Sequence, residues 1–279
     1  MDKILEIKPM GGLANRMRAI ASAYNLACDC DRKLKVIWYP LSELNATFSD
    51  LFLTDNLPFD LYECNFFDFW FKYSEPRKKN LYISKIYQIF NKDLYLSDCD
   101  KSINEFIEKN EEMINIVKLY NNPIISSGLD FYKSSKDVYD KIFTPTPEVQ
   151  YYIDKYIGLF DKNTIGVHIR RTDNKESIKH SPLNLFVERM KNIIKINPEN
   201  SYYVASDDET IKKYLCNIFG EKIIMSDFKL VRNKKIAIIQ AVAELYLLSK
   251  TKMILGSYYS SFSELAAVIG DIKLEQIYL

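Results

Sequence analysis

The sequence predicts an α/β protein of two tandem domains, each a parallel sheet covered by helices, and three observations carry that expectation. Short apolar runs alternate with helical patterns in both halves of the chain, the rhythm of βαβ units. The length of 279 residues suits two domains of ordinary size. The segment FTPTPEVQ (143–150) sets two prolines close together, and the residue before each is biased away from helix. The boundary therefore falls there, giving domains at 1–143 and 144–279.

The elements follow in order. KILEIKP is short, apolar and ended by Pro9, Gly11 and Gly12, as a buried strand feeding a turn should be. A helix begins at once, because Leu13, Met17, Ile20, Ala21, Tyr24 and Ala27 recur at helical spacing, and KLKVIWYP returns as a strand. Residues 48–120 are aromatic and charged, with helical patches such as INEFIEKNEEMINIVKLY, and their pattern sets no order. NPIISSGL (122–129) is a further strand.

The second half repeats the rhythm more clearly. NTIGVHIRRTD is a strand with a charged exit, and SPLNLFVERMKNIIKIN a helix with Ser181 expected as N-cap and Pro182 in the first turn. SYYVASDD is a strand, DETIKKYLCNIFG a helix ending at Gly220, and EKIIMSD a strand. The long helix KKIAIIQAVAELYLLSK, the strand TKMILGSYYSS and the helix SFSELAAVIG complete the series. Two such sheets in tandem are expected to leave a cleft between them.

Composition narrows the function classes. Lysine and arginine total 38 against 37 acidic residues, so no global field draws the chain onto nucleic acid or an anionic membrane, and any bound anion is held locally. Cys28, Cys30, Cys64, Cys99 and Cys216 are odd in number and lack C-x-x-C spacing, which argues against a disulfide framework or a structural zinc. The opening MDKILEIKPMGG lacks the basic and apolar runs of a signal peptide, and no stretch of about 18 apolar residues occurs, so no membrane segment and a cytoplasmic location are expected.

Ligands of doubly wound sheets bind beyond the carboxyl ends of the strands, so the residues there carry the functional information. They are Gly11, Gly12, Asn15 and Arg16; Arg170, Arg171 and Asp173; Ser206, Asp207 and Asp208; and Ser257, Ser260 and Ser261. Adjacent glycines let a backbone approach a phosphate or a sugar hydroxyl, yet they also make simple tight turns. Their spacing fits neither a dinucleotide fingerprint nor a P-loop. Arg16 sits near the positive end of a helix and needs an answering group. Arg170 and Arg171 offer bidentate contact to a phosphate, with a surface ion pair to Asp173 as the plain alternative. Asp207 and Asp208 are favoured as the cap and first turn of the next helix over a divalent-cation site. Ser260 and Ser261 suit either a phosphate seat or an ordinary cap. His168 lies in an apolar run, where a satisfied core histidine and a contact to a nucleotide base are both open.

The segments GGLANRMRAIASA, IGVHIRRTD, YYVASDDE and ELYLLSKTKMILGSYYSSFSELA closely resemble the GDP-fucose-dependent fucosyltransferases, nearest the alpha-1,6 branch. The resemblance spans about Phe143 to Gly270 and, more thinly, the first 25 residues. It implies a GT-B arrangement of two Rossmann-like domains, the acceptor mainly on the first and GDP-fucose mainly on the second, facing a central cleft. It implies transfer of L-fucose to a glycan hydroxyl with inversion and without a metal or other cofactor. It places His168 and Glu244 at the guanine, Arg170 at the β-phosphate, Ser260 and Ser261 against the phosphates, and Arg171 and Asp173 at the reaction centre. Where core-fucosylating enzymes carry a Lys and, four residues later, a catalytic Glu, this chain reads Asn174 and Ile178, so the general base falls to Glu176 or Asp173. Alpha-1,2-fucosyltransferases share the H-x-R-R-x-D run but usually have Gly where Thr172 stands. A transferase for another GDP-sugar and a nucleotide-sugar-binding protein without turnover are the remaining alternatives.

Overall fold

A computed structural model describes residues 3–40, 44–65, 68, 94–98, 101–172, 175–228 and 234–279. The chain divides into two compact units, Met1–Thr144 and Pro145–Leu279. Thr146 accepts the Val149 N–H and Pro147 occupies the first helical turn, so the proline pair opens a helix, α5 (Pro147–Ile157), rather than forming a loose linker.

The first unit holds a parallel sheet of β1 (Ile4–Pro9), β2 (Lys33–Trp38), β3 (Asp60–Glu63), β4 (Tyr95–Ser97) and β5 (Ile124–Ser127), in the order β3-β2-β1-β5-β4. Helix α1 (Leu13–Asp29) covers it with a buried face that includes Leu13, Met17, Ile20 and Leu26. The region whose order the pattern left open contains α2 (Phe48–Leu51), closed by a Thr47–Asp50 capping box, and α3 (Asn110–Lys118). Phe48, Phe52, Tyr139 and Phe143 form one buried aromatic cluster, bringing α2 against α4 (Lys136–Ile142) and the residue that follows it.

The second unit repeats the design. Its sheet comprises β6 (Thr164–Ile169), β7 (Ser201–Ser206), β8 (Ile223–Ile224), β9 (Met253–Ser257) and β10 (Lys273–Ile277), all parallel, in the order β10-β9-β6-β7-β8. Every residue of β6 is buried, as expected of a central strand covered on both faces. Its core joins Ile165, Val167 and Ile169 to Phe186, Met190, Val204, Leu215 and Leu255. The helices are α5 (Pro147–Ile157), α6 (Lys175–His180), α7 (Leu183–Ile196), α8 (Glu209–Phe219), α9 (Lys235–Ser249) and α10 (Ser261–Gly270). Helix α9 is apolar almost all round and is sandwiched against both α5 and α10.

The structure departs from the sequence expectation at four places. EKIIMSD yields a strand of only two residues. The short helix α6 and the edge strand β10 were not signalled by any clear period. Helix α7 begins at Leu183 with Pro182 in the cap position, so Ser181 is not its N-cap. The Ser181 hydroxyl instead accepts the Tyr258 N–H at 2.8 Å. A hydroxyl two residues ahead of the helix is used there on a distant, partly buried backbone donor.

Candidate functional site

The second sheet is entered at its centre. From β6 the chain moves outward through β7 and β8, then crosses back to β9 and β10 on the other side, so the strand order reverses between β6 and β9. That reversal leaves a crevice beyond the carboxyl ends of those two strands. The residues that follow those two strand ends are Arg170 and Arg171 after β6, and Tyr258 to Ser261 after β9.

Small polar side chains stitch the edges together. The Arg170 N–H donates to Ser257 Oγ at 3.1 Å, joining the exit of β6 to the end of β9. The Ser206 hydroxyl donates to the Ile169 carbonyl at 2.8 Å, joining it to β7. Asp207 then organises the turn: its carboxylate accepts the Arg171 N–H at 2.7 Å and the Thr172 hydroxyl at 2.7 Å. Asp208 does a separate job as the N-cap of α8, accepting the Thr210 N–H at 2.8 Å, and hydrogen bonds from Thr210 hold its carboxyl below the usual range. Of the pair expected in the cap and first turn, Asp208 alone caps the helix and Asp207 turns back to β6. Among the described residues no group of three or more His, Cys, Asp or Glu is placed to hold a metal ion.

The two arginines part company. Arg170 Nε lies 3.7 Å from Asp207 Oδ2, a long ion pair on a side chain that is a quarter exposed. Arg171 is held by carbonyls, with Nη2 donating to Ser181 O at 2.6 Å and Nη1 to Arg170 O at 3.2 Å. Burial lowers the pKa of Arg171 against the pull of Asp207 and Asp208, though a guanidinium stays charged at neutral pH.

His168 is buried, its ring tilted on Phe262 at 4.9 Å between centroids, with Nδ1 3.4 Å from Ser260 Oγ. Ser260 has the backbone of an N-cap but its hydroxyl does not cap α10; it faces the histidine instead. Ser261 is the first residue of that helix, so its N–H is among those with no intrahelical acceptor. Between them and β9, Tyr259 takes a left-handed backbone (φ 55°) with an exposed ring, a strained conformation for an aromatic residue and typical of a constrained site.

Glu244, on α9, has its carboxyl 3.4 Å from the Ser226 hydroxyl. Burial pushes it up to about 7, with the Lys212 charge and Ser226 opposing and Asp207 and Glu209 adding to the rise. Lys212 is fully buried on α8 and pairs with Glu209 at 3.4 Å. Glu176 is exposed on α6, 3.4 Å from His180 Nε2. Asp173 lies outside the described residues.

The remaining candidates cluster in the first unit, at its own strand-order reversal between β1 and β5. Gly11 has φ 78°, and a Cβ there would meet Asn15 Nδ2 at 2.9 Å, so the turn requires glycine. Gly12 caps α1 with no side chain, and a Cβ added to it would meet nothing within 4 Å. Asn15 Oδ1 accepts from Arg18 at 3.0 Å. Arg16, a substrate-contact candidate that needs an answering group, is fully buried. Its Nε donates to Gly11 O at 2.9 Å, its Nη1 to Tyr39 O at 2.6 Å, and its guanidinium lies 5.0 Å from both the Trp38 and Tyr39 rings. Backbone carbonyls and aromatic faces thus supply the answering negative charge.

The structure therefore brings together His168, Arg170, Arg171, Asp207, Asp208, Ser260 and Ser261 at one end of the second sheet, and Gly11, Gly12, Asn15 and Arg16 at one end of the first. Sequence reasoning missed the partners that hold them: Thr172, Ser181, Lys212, Ser226 and Phe262. Their signal was faint, since each reads alone as an ordinary helix, loop or core residue.

No protein-family model and no curated protein sequence matches the chain. Solved structures match its fold. A variant of Arabidopsis thaliana FUT1 in complex with GDP shares 18% identity at a TM-score of 0.67, over 100% of this chain and 70% of that one. NodZ alpha-1,6-fucosyltransferase, from Bradyrhizobium, soaked with GDP-fucose, shares 15% at 0.66, over 96% and 93%. POFUT1 in complex with GDP-fucose shares 12% at 0.59, over 99% of each chain. The fold is that of these GDP-fucose-binding fucosyltransferases, a GT-B fold of two Rossmann-like units.

Proposed function

We propose that the chain is a glycosyltransferase that moves L-fucose from GDP-fucose to a glycan hydroxyl with inversion, of the alpha-1,6 type. The observation that carries the reading is the pair Arg170 and Arg171, set at the strand-order reversal beside the N-terminus of α10. A diphosphate is the ligand that such a place suits, because guanidinium groups and free helix N–H groups both complement its charge. The GDP and GDP-fucose complexes of proteins with this fold support the donor assignment.

In this reading the second unit holds the donor and the first, around Gly11, Gly12 and Asn15, serves the acceptor. His168 and Glu244 contact the guanine, and Arg170, Ser260 and Ser261 hold the phosphates. The acceptor oxygen attacks the anomeric carbon as the bond from that carbon to the β-phosphate oxygen breaks, and GDP leaves with the electron pair. Charge grows on GDP as the bond lengthens, so arginines already aimed there stabilise the transition state more than the ground state. This chemistry runs without a metal. The proton leaving the acceptor hydroxyl goes to a carboxylate, Glu176 or Asp173.

Isothermal calorimetry with GDP in EDTA, followed by GDP release from GDP-fucose over a panel of glycan acceptors, tests the proposal. Binding with acceptor-dependent release, and an alpha-1,6 bond in the product, is the expected result. Absence of GDP binding sinks the donor assignment; binding with no release leaves a nucleotide-sugar-binding protein; another linkage corrects the branch.

A further inference from the structure

Two fully buried serines in the second unit have no part in the donor contacts above. Ser177 and Ser181 stand four residues apart, the first within the short helix α6 and the second just after its end, and Ser181 N–H donates to Ser177 O at 2.9 Å. Both hydroxyls reach the same residue. Ser177 Oγ donates to the Tyr258 carbonyl at 2.6 Å, and Ser181 Oγ accepts the Tyr258 N–H at 2.8 Å. Both main-chain polar groups of Tyr258 are thereby gripped by one short segment. The rings agree: Tyr258 lies 5.5 Å from His180 and 5.4 Å from Tyr278, and the Leu279 N–H closes on the His180 carbonyl at 3.0 Å.

What the grip fixes is the Ser181 carbonyl, the acceptor on which Arg171 Nη2 rests at 2.6 Å. An arginine side chain has several freely rotating bonds, and its aim in a site is set by what holds its far end. Resting on the proposed function for Arg171, we propose that Ser177 and Ser181 are positioning residues of the transfer reaction: by clamping Tyr258 they fix the carbonyl that aims the Arg171 guanidinium at the donor. The same clamp ties the chain leaving β6 to the turn at Tyr259, immediately before Ser260 and Ser261. The two sides of the crevice are thus fastened by hydroxyls rather than by the sheet alone.

A serine that only stabilises the fold predicts something different from one that acts through Arg171. The experiment compares the unmodified protein, Ser181→Ala, Ser181→Thr, Arg171→Ala and the Arg171→Ala/Ser181→Ala double variant. For each, GDP affinity is read by calorimetry, GDP release from GDP-fucose by turnover, and folding by thermal melting. Ser181→Ala is expected to lower kcat about tenfold while the Kd for GDP stays within about twofold, and Ser181→Thr, which keeps the hydroxyl, to recover most of kcat. In the Arg171→Ala background the second substitution is expected to cost no further turnover, because the group it positions is gone. Ser177→Ala supplies a second route should Ser181→Ala fail to fold, with the same split between kcat and Kd expected. Additive losses in the double variant, or loss of turnover and GDP affinity together, overturn the positioning role and leave the donor assignment standing. An unmodified protein that binds no GDP, or releases none from GDP-fucose, overturns the functional reading and this inference with it.

Discussion

The two units place arginine at the same topological address and use it in opposite ways. Each sheet starts at its centre and reverses strand order beside its first strand, and each has an arginine within the next few residues. In the first unit Arg16 already belongs to a helix, on the face turned to the sheet, and disappears under Trp38 and Tyr39. In the second unit Arg170 and Arg171 lie outside any helix, just past the end of β6, so their main chain is tied by Ser257 and Asp207 while both side chains stay at least partly exposed. The lesson is that residue type and strand-end position mark a candidate, but the local backbone decides whether the charge becomes a buried structural strut or stays at the open end of the sheet.

That contrast can be broken by substitution. Arg171→Ala is expected to lower turnover by about a thousandfold while changing GDP affinity only a few-fold, read by single-turnover kinetics and calorimetry. Arg16→Met, which keeps bulk and removes the donors, should take them from the half-buried Gly11 carbonyl and the buried Tyr39 carbonyl. It should cost about 3 kcal/mol in denaturant unfolding with GDP affinity unchanged. If Arg16→Met instead abolishes GDP binding in a folded protein, the two addresses are not opposites. Arg170→Ala is expected to weaken GDP binding by roughly thirtyfold, about 2 kcal/mol, and to spare the melting temperature.

The pH dependence sharpens the same comparison. Glu244 has its carboxyl raised by burial from 4.5 to about 7, so if it contacts the guanine as proposed, its carboxylate is lost as pH falls through 7 and GDP affinity should fall with it. Its stability effect has the opposite sign. The folded state binds the proton more tightly than the unfolded chain, so this group favours folding at low pH, and that contribution declines as pH rises from 4.5 to 7. Glu244→Gln should flatten both trends, seen by calorimetry and by melting across pH 5 to about 8. Asp208→Ala, which removes the cap of α8, is expected to have the smallest effect, about 1 kcal/mol in unfolding and little on turnover.

Much of the second unit was legible because its strands are buried on both faces and its helices keep a regular period. Arg170 and the serines after β9 could be picked out as strand-end residues without a structure, and His168 as the histidine inside the β6 run. What escaped was anything decided across the fold. Ser181 before a proline and an apolar helix carries the same local signature whether it caps that helix or holds Tyr258, 77 residues away. Arg16 reads as exposed or buried according to which way the first turn of α1 faces, and the helical period of Leu13, Met17 and Ile20 alone put it near the boundary. Asp207 and Asp208 are adjacent, yet one belongs to the turn and the other to the helix, a division set by the β6 exit beside them.

The stitch between Arg170 and Ser257 also says something about how the crevice comes into being. Its two partners are 87 residues apart in the chain, and β6 gains β9 as a neighbour only after β7, β8 and the four helices α6 to α9 have been laid down. Closing so long a loop is among the most entropically expensive steps of assembly, and contacts of high sequence separation form slowly. On the ribosome, a nascent chain that has emerged only as far as Ser249 possesses both arginines but not the edge that gives them a crevice. Under the proposed function, competence to hold a diphosphate should therefore arise in a single late step of folding, as the crossover through α9 docks β9 against β6, rather than growing in with the sheet.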